Sequence, residues 1–147
     1  MQLPILPRLF VIDREDRQLD IFKWNLRRRR YFSEKRFDVT VGKIGSETPH
    51  GLYYIIAKSR TPSWRIPQDE DYSPETWGTI IPFDDLGNPF AGGFISLSGK
   101  ETGIGIHGTK FDPKVGTAAS HGCIRMQTFE FLKIYDLAKI NTPVYLH

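Results

Sequence analysis

The chain holds one cysteine in 147 residues, and its neighbours are those that make a thiol useful: Ala119 to Met126 reads ASHGCIRM. His121 precedes Cys123 by two positions and Arg125 follows it by two. A thiol attacks as its thiolate, and a nearby imidazole or guanidinium lowers its pKa by favouring that form. In extended backbone His121, Cys123 and Arg125 share one face while Gly122, Ile124 and Met126 take the other, so the apolar face can anchor the reactive one. Gly122 allows close backbone approach, and the amides of Gly122 and Cys123 could donate to an oxyanion developing in acyl transfer. A second histidine, His107, closes the apolar-alternating stretch GIGIHGT and is followed at once by Gly108; the loop GTKFDPKVGTAAS joins it to the cysteine stretch. A cysteine with a histidine from a separate segment is the general plan of a thiol acyl-transfer site. On the residues alone, His107 and His121 are equal candidates for the base.

The elements that must position these groups read mainly as strands. Short runs rich in Val, Ile, Phe and Tyr, punctuated by Gly, Pro, Asn and Asp, predict strands at 9–13, 18–24, 36–42, 51–59 and 93–99. Between Ser59 and Pro89 lies a long aromatic, proline-bearing connection without a sustained period. Trp64, Trp77 and Phe83 argue for order there, so it predicts a flap or wall beside a cleft. One helix is predicted, Thr128 to Ile140, with Thr128 as N-cap and Phe131, Ile134, Tyr135 and Ala138 at helical spacing. The final VYLH reads as a closing strand, and no repeat or composition break divides residues 1–147, so a single domain is expected.

Composition bounds the alternatives. Hydrophobic residues at 39%, charged at 25% and aromatic at 13% are globular proportions, and no apolar run approaches the ~20 residues of a membrane span. The opening MQLPILPRLFVID lacks the basic start and cleavage site of a signal peptide and reads as a lead-in to the first strand. A net charge of +3 is a small excess, and its densest part, Arg27 to Tyr31, lies between strand-like stretches as a solvated hairpin tip. No nucleic-acid motif accompanies it, so no nucleic-acid partner is expected.

Bland readings stand beside the sharp one. Free cysteines are commonly small buried hydrophobes. His107, His121 and Cys123 could bind zinc, but without a clear fourth ligand they describe an incomplete site. His50 and His147 have no partner in sequence and read as surface residues. Trp64, Tyr72, Trp77 and Phe83 could cap the core or jointly line a peptide cleft.

These stretches resemble the catalytic domain of the L,D-transpeptidases, the YkuD-like family of bacterial cell-wall enzymes. The resemblance rests on His107 and, after a spacer, Ser120, His121, Gly122, Cys123, Ile124 and Arg125. VTVGKIGSETPHGLYYI (39–55) and TPSWRIP (61–67) look like further family stretches, and Asn88-Pro89 resembles its Asn-Pro-Leu-Gly with Phe90-Ala91 in place of Leu-Gly. The resemblance implies a mainly β, β-rich α+β fold, a flattened barrel or sandwich of mixed strands with one helix near the C-terminus. It implies Cys123 as nucleophile, His107 as base oriented by a backbone carbonyl, and His121 with the Gly122 and Cys123 amides as oxyanion and positioning groups. Arg125 would stabilise the thiolate or hold a substrate carboxylate. Ser120 would support the loop, and Gly108 and Trp64 join the binding set. The implied substrates are peptidoglycan stem peptides as donor and acceptor: a tetrapeptide loses D-alanine to form a thioester, which an amine resolves. No cofactor and no metal is required, a monomer is expected, and the place of action would be the cell envelope. Alternatives are an L,D-carboxypeptidase or other thiol acyltransferase or peptidase at the same site, and a non-catalytic wall-binding module.

Overall fold

Alternating apolar and polar side chains commit most of the chain to strands, and the computed structural model describes residues 7–99, 103–109, 115–116 and 118–147. Residues 1–6 of the lead-in and most of the loop between His107 and Ser120 lie outside the described residues. The strands are β1 (Arg8–Asp13), β2 (Gln18–Asn25), β3 (Arg30–Asp38), β4 (Val41–Gly42), β5 (Gly51–Ser59), β6 (Trp64–Arg65), β7 (Ile80–Ile81), β8 (Ala91–Leu97), β9 (Gly105–Thr109), β10 (Ala118–Ser120), β11 (Ile124–Gln127) and β12 (Pro143–Leu146). The helix α1 spans Thr128–Tyr135.

Eight strands form one mixed sheet in the order β11-β9-β8-β5-β12-β1-β2-β3. Its parallel pairs are β1 with β12 and β9 with β11. The sheet stays open and sandwich-like, although a bridge between Thr40 and Arg125 draws the chain leaving β3 toward β11. β4 then pairs with β10, directly before the cysteine. Phe10, Ile12, Leu19, Ile21, Ile55, Ile95, Ile106, Ile124, Met126 and Leu146 are fully buried, and α1 adds Phe131 and Ile134 by packing on β8 and β9. Each such side chain contributes about 1.5–3 kcal/mol by leaving water, so the core holds β9 and β11 in fixed register.

Several boundaries differ from the sequence expectation for physical reasons. The strand expected at 36–42 is two elements, and β3 begins already at Arg30. Its early residues are charged because β3 is a sheet edge, where charge prevents pairing with another chain. The strand expected at 93–99 runs from Ala91 to Leu97. The helix stops at Tyr135; the Ala138 N–H still bonds the Ile134 carbonyl, and the chain reverses through Asn141 at φ 69°. Thr128 is not the N-cap. Gln127 holds that position without a side-chain cap, because α1 grows directly out of β11, and the Thr128 hydroxyl instead donates to the Thr109 carbonyl at the end of β9.

The long connection is ordered as a flap, a small hairpin of β6 and β7 with a 3-10 turn at Pro74–Thr76. Asn88, almost fully buried, closes its base: its amide donates to the carbonyls of Pro62, Ile81 and Pro82, and its oxygen accepts the Phe90 N–H. Trp77 does not cap the core; it is exposed, and its indole N–H donates to the Asp69 and Tyr72 carbonyls within the flap.

Candidate active site

Parallel pairing of β9 with β11 sets Ile124 opposite Ile106 and Arg125 opposite His107. Ile106, Ile124 and Met126 point into the core, so His107 and Arg125 share the other face. Cys123, one residue before β11, continues that face by the same alternation, diagonal to His107 across the ladder. The core thus fixes the strands that carry His107 and Arg125 and the residue before β11, Cys123, from behind.

His107 is 3% exposed and tightly oriented. Its Nδ1 lies 3.0 Å from the Gly108 carbonyl oxygen. A carbonyl can only accept, so Nδ1 carries a proton, and in the neutral ring the lone pair is then on Nε2. Two aromatic rings fix the plane: Phe94 stacks at 5.8 Å with 12° between planes, and Phe90 meets it edge-on at 4.7 Å. Phe90 stands where the family stretch has leucine, so the departure at Phe90-Ala91 puts a second ring on the imidazole. Gly108 lines neither cavity described below. A Cβ there would stand 2.2 Å from the Ala91 carbonyl oxygen, so glycine serves close strand packing while its own carbonyl orients His107.

The Cys123 thiol donates to the Gly103 carbonyl at 3.2 Å. Burial pushes its pKa up, against smaller downward pulls from the backbone at Gly105 and the charge of Arg125. This reverses the sequence expectation of a thiol lowered by its neighbours. Local sequence supplies a cation, but the half-buried sulfur is desolvated by its surroundings more than one guanidinium offsets. A raised thiol pKa favours the protonated sulfur, which would need a base before it could attack.

The loop before Cys123 is held by two buried hydroxyls. Ser120 Oγ donates to the Cys123 carbonyl at 2.5 Å and accepts the Gly122 N–H at 3.2 Å. The Gly122 amide is thus engaged inside the loop, which leaves the Cys123 amide as the candidate oxyanion donor of the expected pair. Thr48 Oγ1 accepts the Gly42 N–H at 3.1 Å and donates to the Gly122 carbonyl at 2.8 Å. Gly122 has φ 114°, a conformation closed to other residues without strain.

His121 sits on the flap side. Its Nε2 is 2.9 Å from Asp71 Oδ2 and 3.4 Å from Asp69 Oδ2, and Lys43 Nζ is 3.3 Å from the same Asp71 oxygen. The His121 and Lys43 contacts hold the Asp71 carboxyl below its ordinary pKa. Sequence reasoning missed Asp69, Asp71 and Thr48. Among the described residues the grouping that could ligate a metal is Asp69, Asp71 and His121, with donor atoms within 4.8 Å of one another, not the set His107, His121 and Cys123. Lys43 already neutralises one of those carboxylates.

Two cavities meet at Gly103. The larger, about 390 Å³, is walled by Trp64, Phe90 and Phe94 with Lys58 and Arg65 at its margin. The smaller, about 290 Å³, is polar and holds Cys123, Gly122, His121 and Glu47. Trp64 packs edge-on against Tyr72 at 5.5 Å. Arg125, half-buried, lines neither cavity but reaches the sulfur by its charge. His50 and His147 are exposed and lie outside the site.

The model of the YkuD family, the L,D-transpeptidase catalytic domain, matches residues 7–146. The chain belongs to this family. It is 31% identical over 110 residues to the YkuD protein of Bacillus subtilis strain 168, covering 75% of this chain and 51% of that one. It is 30% identical over 111 residues to the YqjB protein of the same strain, covering 74% and 56%. The chain thus spans about half the length of these relatives. Among solved structures, an L,D-transpeptidase from Mycobacterium smegmatis matches with a TM-score of 0.68 at 18% identity, over 96% of this chain and 58% of that one. An imipenem complex of LD transpeptidase LdtMt1 matches with a TM-score of 0.70 at 15% identity, over 96% and 59%. At such identities the likeness establishes the shared fold, a mainly β L,D-transpeptidase-type domain.

Proposed function

We propose that this YkuD-family domain is a peptidoglycan L,D-transpeptidase of the cell envelope with Cys123 as nucleophile and His107 as base. The observation that carries the reading is the register of two adjacent parallel strands, which sets Arg125 opposite His107 and Cys123 two residues before Arg125 on the same side, with His107 Nδ1 held by a carbonyl and the Cys123 thiol donating to another. His107 Nε2 takes the Sγ proton as sulfur attacks the carbonyl carbon between the L-centre of the stem's diamino acid and the terminal D-alanine. The C–N bond breaks, His107 returns the proton to the leaving amine, and D-alanine departs from a Cys123 thioester. An amine of a second stem then attacks the thioester, gives its proton to His107, and expels the sulfur, which is reprotonated. The base supplies ~10²–10⁴-fold, and an oxyanion donor such as the Cys123 N–H on the order of 10²–10³-fold.

The cavities divide the substrates by chemistry. The larger, with Trp64, Phe90, Phe94 and the cations Lys58 and Arg65, suits the acyl donor with its carboxylates. The smaller carries Glu47, whose carboxyl the Gly45 N–H keeps below its ordinary pKa, and so suits an acceptor ammonium. His121 positions the flap through Asp69 and Asp71.

The test is product analysis after incubation with a tetrapeptide muropeptide. The expected products are a cross-linked dimer and free D-alanine in equal amounts, both lost in Cys123→Ala. Tripeptide and D-alanine without dimer would make water the acceptor, and cleavage of casein with the tetrapeptide untouched would replace this reading with an ordinary cysteine peptidase.

A further inference from the structure

The hairpin of β2 and β3 carries a charge that the site does not use. Its turn, Leu26–Arg29, presents three arginines, and Arg30 opens β3. Of the arm's acids, Asp20 is paired with Arg36 and Glu34 with Arg8, while Asp38 stands at the far end of β3 from the turn. Arg27, Arg28, Arg29 and Arg30 make no ion pair among the described residues. Asn25, Arg28, Arg30 and Phe32 line a notch of about 240 Å³. The Asn25 side-chain oxygen is spent on the Arg28 N–H at 2.8 Å, so the notch offers donors over an aromatic floor, a setting for a phosphate.

Two further observations narrow the ligand. Arg29 has φ 50°, a left-handed conformation that turns normally give to Gly or Asn. Arg17 in the β1–β2 turn shares it at φ 55°, and there the guanidinium is used: its Nε donates to the Gly116 carbonyl at 2.8 Å. Arg29 has no such partner among the described residues, so its guanidinium is left available to a ligand outside the chain. At the apex Leu26 is 76% exposed, and Phe32, two residues into β3 from Arg30, is 42% exposed. An apolar apex ringed by arginines gains most where it can leave water beside anionic headgroups, which a soluble polyanion does not provide.

We propose that this hairpin docks on an anionic phospholipid surface, with a lipid phosphate in the Asn25–Arg28–Arg30 notch and Leu26 entering the headgroup layer. The geometry leaves the catalytic cleft clear. β3 is the sheet edge opposite β11, and the nine residues of β3 place the tip about 26 Å along the strand from Asp38, beyond which the chain turns to meet β11.

The test is flotation of the full chain with vesicles of phosphatidylcholine, with and without phosphatidylglycerol. Binding is expected only with phosphatidylglycerol. Replacing Arg27, Arg28, Arg29 and Arg30 by Gln should weaken it on the order of 10²–10³-fold, about fivefold per cation. Leu26→Ser should weaken it about tenfold. Arg29→Gly separates docking from turn-making: thermal stability should rise as the backbone strain is relieved, while vesicle binding falls about fivefold. Wild-type protein that ignores phosphatidylglycerol would overturn the proposal, as would an Arg29→Gly variant with undiminished vesicle binding. Tighter binding to polyphosphate or DNA than to vesicles, indifferent to Leu26→Ser, would overturn the lipid occupant in favour of a soluble polyanion.

Discussion

Replacing Thr48 by Val keeps the shape of a buried side chain and removes only its hydroxyl. That hydroxyl accepts the Gly42 N–H and donates to the Gly122 carbonyl, and Thr48 is 1% exposed, so both backbone groups would be left without a partner inside the protein. Each such buried group costs about 1–3 kcal/mol, giving about 2–6 kcal/mol for the variant. In a domain of this size 1 kcal/mol moves Tm by roughly 2–4 °C, so a fall of about 8–16 °C is expected at the middle of that range, about 4 kcal/mol. Thr48→Ser is the control, because it keeps both bonds and loses one methyl, worth about 1 kcal/mol. The same pair of variants reads the site. Release of the Gly122 carbonyl loosens the loop that presents Cys123, so acylation should slow in Thr48→Val and persist in Thr48→Ser. Thermal denaturation and single-turnover acylation measure the two effects. If Thr48→Val is as stable and as active as Thr48→Ser, the hydroxyl bridge does not anchor the nucleophile loop.

Three other outcomes follow from the electrostatics. The Cys123 thiol, pushed up by burial, should alkylate with a midpoint above the ordinary cysteine value of about 8.5; a midpoint near neutrality would show a preformed thiolate. By the same linkage, the folded pKa exceeds the unfolded one, so this group's stabilisation is present below about 8.5 and is lost as pH rises toward the folded value. Glu34 shifts the other way, lowered chiefly by its Arg8 hydrogen bond. Its contribution is present above about 4.3 and lost as pH falls through the folded pKa; Arg8→Gln should flatten that limb of the stability profile. Replacing both Asp69 and Asp71 by Asn should free the flap, seen as faster amide exchange across residues 66–79; unchanged exchange there would show that His121 does not latch it.

The cysteine strand was legible because its burial is periodic: Ile124 and Met126 face the core, which sets Cys123 and Arg125 on the other face, whereas β9 is buried throughout and was legible only from its apolar alternation in sequence. Arg30 to Lys35 hid within β3 because an edge strand needs little apolar content and wears charge instead. Thr128 was misassigned because the N-cap rule assumes a helix entered from a loop, whereas α1 follows β11 without one. The link from His121 to Asp69 and Asp71 joins residues some fifty positions apart, and no local pattern announces it. Thr48 and Asn88 stood in stretches resembling the family, but a hydroxyl or amide that bonds backbone leaves no mark in spacing. The sign of the Cys123 shift could not be read locally, since neighbours in sequence supply charge while the whole fold supplies desolvation.

The central claim is that Cys123 becomes acylated by a stem peptide with His107 as its base. Intact-mass measurement after brief mixing with a tetrapeptide muropeptide, followed by peptide mapping, tests it most directly. The account predicts a mass gain equal to the donor less D-alanine, mapped to Cys123, absent in Cys123→Ala and formed ~10²–10⁴-fold more slowly in His107→Ala. An adduct that persists in Cys123→Ala, or one that forms at the wild-type rate in His107→Ala, would contradict it.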